Sequence, residues 1–260
     1  MTKRGLYGHV SAHFDPLGIA APAILECKLL QREMAPPKGQ DVHGWNAIDW
    51  DDPIPSLYEP QWKKIIKINQ EAQAIRLPRS YYPLDHGTPI HQQLYAFADA
   101  SDLATCIVIY IRTVTSDNTI HVAFVTGKSK LLKMDYRVKG QLSIPRAELN
   151  AAEQLVRLVD EVTKEIDIPD LQPPRYFTDS RDVLGWINNT DKRFQRYVAN
   201  RINTILTHSN VSQWEYIETS ANPADIGTRP KSIPNFKPRS GFQALPSFFK
   251  NALCPHKNLQ

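Results

Sequence analysis

Three β-rich runs in quick succession, Leu94 to Ala98, Thr105 to Arg112 and Ile120 to Thr126, most constrain what this chain can become. The polar stretch Thr115-Ser-Asp-Asn118 turns the second run back on the third, so the three read as an antiparallel meander. Pro145 then opens a helix reaching about Ile166. On it Glu148, Ala152, Leu155, Val159 and Val162 recur at the spacing of a single buried stripe. After it come a strand, Arg175 to Thr178, a short helix through Val183, Trp186 and Ile187, and a helix from about Arg193 to His208. A strand from Gln213 to Ile217 and a helix start at Asn222-Pro223 close the pattern. Five strands interleaved with helices in this order predict an α/β fold, a mixed sheet flanked by helices.

Upstream, residues 1–90 are proline-rich and carry two helical patterns. The first, Leu25 to Met34, is opened by Pro22 and closed by Pro36-Pro37. The second runs from about Pro60 to Ile75, with Trp62, Ile65, Ile66, Ala72 and Ile75 mostly on one face. They predict a small helical subdomain without a catalytic group, ahead of a domain over 91–230. Residues 231–260 have no period and read as a loosely ordered tail. A chain of 260 residues, 42% hydrophobic and 22% charged, can bury a real core, and its net charge of +4 permits a phosphate-bearing partner without demanding one. Cys27, Cys106 and Cys254 show no metal or disulfide spacing, which points to reduced thiols in an intracellular protein. No apolar run approaches the roughly 18 residues of a membrane span, so no membrane association is expected.

Four carboxylates fall at the ends of elements beside the expected sheet: Asp99, Glu148, Asp179 and Asp225. Each has an ordinary explanation. An aspartate closing a strand often makes a turn, Asp179 or Ser180 could cap the next helix, and an early helical glutamate answers the helix dipole. Glu148, however, continues an apolar stripe, where an unpaired carboxylate is costly. Gathered together, four such groups would repel one another unless cations neutralised them. Oxygen ligands without thiolate or a histidine pair favour Mg²⁺ or Mn²⁺ over zinc, and two such ions suit phosphodiester hydrolysis. The basic, aromatic-bearing stretch Lys128, Lys130, Lys133, Tyr136, Arg137 and Lys139 reads as a loop, either plain solvated surface or a track for a phosphate backbone. Lys192, Arg193, Arg196 and Arg201 form a second basic side with the same two readings.

The blocks Phe97-Ala-Asp-Ala-Ser101, Ile144-Pro-Arg-Ala-Glu-Leu149, Phe177-Thr-Asp-Ser180 and Asn222-Pro-Ala-Asp-Ile-Gly-Thr-Arg229 resemble the ribonuclease H domain of Bel/Pao-type long-terminal-repeat retrotransposon polyproteins. Ser11-Ala-His-Phe-Asp-Pro-Leu-Gly18, Trp50-Asp-Asp-Pro53 and Ile75-Arg-Leu-Pro-Arg79 are similar to the connection segment that follows the polymerase palm in the same elements. The resemblance implies a ribonuclease H-like fold and a metal set of Asp99, Glu148, Asp179 and Asp225 holding two Mg²⁺ or Mn²⁺ ions. It implies as substrate the RNA strand of an RNA–DNA hybrid, read by shape and 2′-hydroxyl. Lys128, Lys130 and Tyr136 from the first basic stretch and Lys192, Arg193 and Arg196 from the second are the candidate nucleic-acid contacts. A reverse transcriptase domain is the implied partner, and cytoplasm, virus-like particle or nucleus the implied setting. Relatives often carry a histidine where this chain has Tyr216, which leaves His208 as the candidate for helping product release. No Tyr-x-Asp-Asp polymerase signature is present.

Two rival readings stand beside this one. The Pao region also carries a peptidase label, but an aspartic dyad needs an Asp-Ser/Thr-Gly turn, and the nearest matches, Asp99-Ala-Ser and Asp179-Ser-Arg, lack the glycine. The other is a non-catalytic hybrid-binding or structural module of a retroelement remnant, against which the presence of all four carboxylates argues.

Overall fold

A computed structural model describes residues 1–12, 14–34, 48–73, 80–82, 87–132, 143–189 and 193–229. Three helices lead: α1 (Lys3–Ser11), α2 (Ala21–Glu33) and α3 (Glu59–Gln73). The meander follows as β1 (Pro89–Ala100), β2 (Ala104–Thr115) and β3 (Ile120–Leu131), and then α4 (Ile144–Glu165), β4 (Gln172–Thr178), α5 (Arg181–Ile187), α6 (Arg196–His208) and β5 (Trp214–Tyr216). A 3-10 segment, Pro223–Gly227, comes where the sequence predicts a helix start. The sheet order is β3-β2-β1-β4-β5. The meander pairs are antiparallel, whereas β4 runs parallel to both β1 and β5. This is the mixed five-stranded sheet flanked by helices that the resemblance implies.

β1 is central and, from Leu94 on, buried on both faces, which is why Leu94 to Ala98 is a continuous apolar run. Leu94, Ala96, Ala98 and Ala100 face the main core, where α4 lays down Leu149, Ala152, Leu155 and Val159. The small alanines let the helix come close. Tyr95 and Phe97 point the other way into an aromatic cluster with Phe177, whose ring stacks on Phe97 at 4.9 Å.

The meander strands run longer than their apolar runs because polar residues also complete the ladder; Gln92, for example, donates to the hydroxyl of Thr113 across the β1–β2 pair at 3.1 Å. This corrects the reading of the basic loop. Lys128 and Lys130 lie in β3, paired with Ile107 and Thr105, and Lys128 sits 3.6 Å from Glu161 of α4. Lys133, Tyr136, Arg137 and Lys139 lie outside the described residues, as does Lys192.

The N-terminal helices form their own small core, Leu6, Cys27, Leu30, Met34, Tyr58 and Ile65. Helix α1 is an addition to the two expected from periodicity. Capped by the Thr2 hydroxyl, it buries only Leu6, too little to leave a pattern. These helices lie against the edge strand of the sheet. The amide of Gly127 and the hydroxyl of Thr126 both donate to the Leu17 carbonyl, and Arg32 donates to that of Leu132. The edge of β3 is thereby partly covered. Gly18, at φ +77°, makes the approach possible, since a Cβ there would lie 1.7 Å from the Gly127 carbonyl oxygen.

The 3-10 segment Pro223–Gly227 docks on β2 just as closely: a Cβ on Gly227 would lie 2.3 Å from the Cys106 sulfur. Gly227→Ala should therefore cost about 1–3 kcal/mol of stability in urea denaturation, and Cys106→Ala in the same chain should recover part of that loss. Strictly additive costs in the double variant would show that the sulfur is not what the new methyl meets.

Candidate functional site

The parallel β1–β4 pair sends both strand ends to the same edge of the sheet, the edge where ligands gather in such sheets. Asp99 is the penultimate residue of β1 and Asp179 follows the last residue of β4. Helix α4 starts beside them and presents Glu148 from its buried stripe. One oxygen of each, from Asp99, Glu148 and Asp179, lies within 4.8 Å of the others. Three separate elements thus meet in one acidic cluster.

Neither a helix cap nor the helix dipole accounts for it. Ser180, not Asp179, caps α5, its hydroxyl accepting the Val183 amide at 3.4 Å. Helix α4 has no acidic residue in its first turn, because Glu148 lies beyond it, where the dipole's pull has faded.

Asp225 sits to one side, in the 3-10 segment. It is not one of the three converging residues, and its Oδ1 lies 3.7 Å from Nε of Arg229. Its charge still reaches Asp99, adding to the effect of burial and of Asp179. The same segment ties the cluster together. Asn222 donates through Nδ2 to the Ala98 carbonyl at 2.9 Å and reaches Oδ1 of Asp179 at 3.4 Å, while its own oxygen accepts the Ala224 amide. The Thr228 hydroxyl donates to Oδ2 of Asp99 at 2.7 Å. Asn222 and Thr228 lie inside a block that the sequence does display, but nothing local in it says which carboxylate each one touches.

Burial and like charge govern the electrostatics. Asp99 is pushed up to about 6, chiefly by burial, with the Thr228 hydrogen bond opposing and the charges of Asp179 and Asp225 adding. Glu148 is pushed up to about 9, again chiefly by burial and then by Asp99 and Asp179. Its Oε2 is buried with no hydrogen-bond partner among the described residues. An orphaned carboxylate oxygen facing two more carboxylates fits a bound divalent cation, and the all-oxygen donors fit a hard one of the Mg²⁺ kind. Cys106, near Asp99, is buried, and that burial pushes its thiol up to about 12.

A separate groove of about 440 Å³ lies between α4, α5 and the start of α6, lined by Arg146, Arg193, Trp186, Phe194 and Val198 and also by Asp182; none of the three converging carboxylates lines it. Arg193 precedes α6, and Arg196 is the first residue of that helix; both are exposed. Arg181 stacks on the half-exposed ring of Tyr216 at 5.0 Å, two residues past Asp179. Arg201 turns away from solvent instead, against Glu153 and the ring of Tyr197. His208 belongs elsewhere. Helices α4 and α6 run side by side in the same direction, with contacts Arg146–Tyr197, Glu153–Arg201 and Arg157–Thr204. His208 therefore ends up beside Asp160, about 18 Å along α4 from Glu148. Its Nδ1 lies 2.9 Å from the Thr204 carbonyl oxygen of its own helix. That position does not suit a role in product release.

A family model described as "Pao retrotransposon-like RNaseH-like domain" matches residues 2–180, a span that includes Asp99, Glu148 and Asp179. No curated protein matches the sequence. Among solved structures, the chain is similar to RNase H1 from the archaeon Halobacterium salinarum, with 9% identity over 51% of this chain and 90% of that one, at a TM-score of 0.32. An N-terminal RNase H domain from Mycobacterium tuberculosis gives 11% identity over 53% and 93%, at 0.32. A foamy viral protease-reverse transcriptase solved in complex with double-stranded DNA gives 10% over 79% of this chain and 35% of that one, at 0.34.

The raised carboxyl groups make a prediction for the metal-free protein. A group lifted above its unfolded value of about 4 holds its proton longer in the folded chain. Its contribution to stability is complete below that value and is lost as pH rises through about 6 for Asp99 and about 9 for Glu148. In EDTA, stability to urea should fall between about pH 4 and pH 9, and Glu148→Gln should remove the alkaline part of the fall. A flat wild-type profile would contradict the arrangement.

Proposed function

The chain belongs to the Pao retrotransposon-like RNaseH-like domain family, and from that membership we propose that it is a metal-dependent endonuclease of ribonuclease H type that cuts the RNA strand of RNA–DNA hybrids during retrotransposon replication. The observation that carries this reading is the meeting of Asp99, Glu148 and Asp179 at the carboxyl edge of the β1–β4 pair, with one Glu148 oxygen left unpartnered among the described residues. A site built only from carboxylates offers no hydroxyl, thiol or amine nucleophile for acyl transfer. Such a site does have the ligands for hard cations.

Two Mg²⁺ or Mn²⁺ ions, when bound, supply the Lewis-acid charge stabilisation that in-line displacement at a phosphodiester requires. Asp99, Glu148 and Asp179 are the ligands in this reading, and Asp225, beside them, completes the set. Burial of Asp99 and Glu148 excludes bulk water, so a cation held between them would act in a low-dielectric site. Arg193 and Arg146 in the groove, with Arg196 beside it, follow the phosphate backbone of the bound duplex, and a 2′-hydroxyl marks the strand to be cut. The partner is a reverse transcriptase domain, reached through the connection-like N-terminal helices.

The test uses purified protein and an end-labelled RNA–DNA hybrid, with and without Mg²⁺. RNA-strand cleavage should require the metal, and Asp179→Asn should lower it by more than about a hundredfold, the upper end of what losing even an outer partner of a metal ligand costs. Hybrid binding without cleavage would favour a structural module, and pepstatin-sensitive proteolysis a peptidase. Separately, replacing Arg193 and Arg196 by glutamine should lower the slope of log affinity against log salt by about one for each phosphate no longer neutralised. An unchanged slope would remove them from the interface.

A further inference from the structure

We propose that Thr228 is a positioning residue for the metal site: its hydroxyl fixes the carboxylate of Asp99 in the ligating arrangement. The inference rests on the metal reading of the acidic cluster and adds a residue to it. Thr228 is fully buried, so no water competes for its hydroxyl. Its Oγ1 lies 2.7 Å from Oδ2 of Asp99, the length of a charge-assisted bond, and 3.1 Å from the Asp225 carbonyl oxygen. One hydroxyl proton serves one acceptor at a time, and the shorter bond to the charged oxygen takes it.

The direction of control follows from what holds Thr228. Its carbonyl accepts the Ser101 hydroxyl at 2.7 Å, and the preceding carbonyl, of Gly227, accepts the Ser129 hydroxyl at 2.6 Å. Ser101 is itself fixed by the amides of Leu103 and Ala104. These bonds place the Thr228 backbone from the β1–β2 turn and from β3, independently of Asp99. Thr228 is therefore the fixed partner and Asp99 the adjustable one. The Ala100 amide also donates to the Asp99 carboxylate, but it belongs to the neighbouring residue of the same strand; Thr228 is the donor from another element that holds the carboxylate against the charges of Asp179 and Asp225. A neutral donor leaves the negative charge available to a cation. A lysine or arginine in the same place would compete with the metal.

Mn²⁺ binding to the full chain without nucleic acid, read by electron paramagnetic resonance, tests this apart from activity. Thr228→Val keeps the branched shape and removes the donor, and should weaken Mn²⁺ binding about tenfold. Thr228→Ser keeps the donor and should stay within about twofold of wild type. Thr228→Ala, smaller and also without a donor, gives the same comparison if the valine variant does not fold. Circular dichroism identifies the folded variants. Equal binding by wild type and the donor-less variants, or a serine variant as weak as they are, overturns the role of Thr228. A wild-type chain that binds no Mn²⁺ overturns the metal reading itself, and the two failures are thus told apart.

Discussion

The arrangement depends on one electrostatic demand: three carboxylates must be held within 4.8 Å of one another against their mutual repulsion and, for Asp99 and Glu148, against the loss of water. Side chains on loops would relieve that repulsion by moving apart. Here two strand ends and a helix carry the charges, and each is fixed by packing far from the site. β1 is locked between α4 and the aromatic cluster of Tyr95, Phe97 and Phe177, and the buried face of α4 continues for several turns beyond Glu148. The hydrophobic energy of the sheet and helix sustains a local arrangement that is unfavourable by itself.

The 3-10 segment after β5 has a second part in the same balance. It brings Asp225 close enough to act on Asp99. Through Asn222 and Thr228 it also ties down the ends of β1 and β4. Its close seating requires the missing side chain at Gly227, against Cys106. The N-terminal helices contribute at the other side of the sheet, where the backbone meets β3 through Leu17 and Gly18. Covering that edge limits strand-to-strand association there.

Much of this was legible in the residues, and the exceptions have physical causes. The order of elements, the stripe from Glu148 to Val162 and the four carboxylates all appear locally, because periods of two and of about 3.6 residues leave a trace wherever one face is buried. Helix α1 escaped because it buries one side chain. Lys128 and Lys130 passed for loop because the solvent-facing positions of a strand tolerate lysine as readily as a loop does. His208 seemed near the site in sequence, yet the parallel course of α4 and α6 carries it to the far end of the pair.

By itself, then, the sequence determined the class of the sheet, the helices on it and which acidic residues stand at element ends, since each of these follows from neighbours a few residues apart. Only the tertiary structure decided that Asp99, Glu148 and Asp179 converge while Asp225 stands beside Arg229, and that Thr228 meets Asp99 across 129 positions of chain. Those facts depend on strand order and on the direction in which packed helices run. Both are set by contacts between residues far apart in sequence, which leave no periodic trace along the chain.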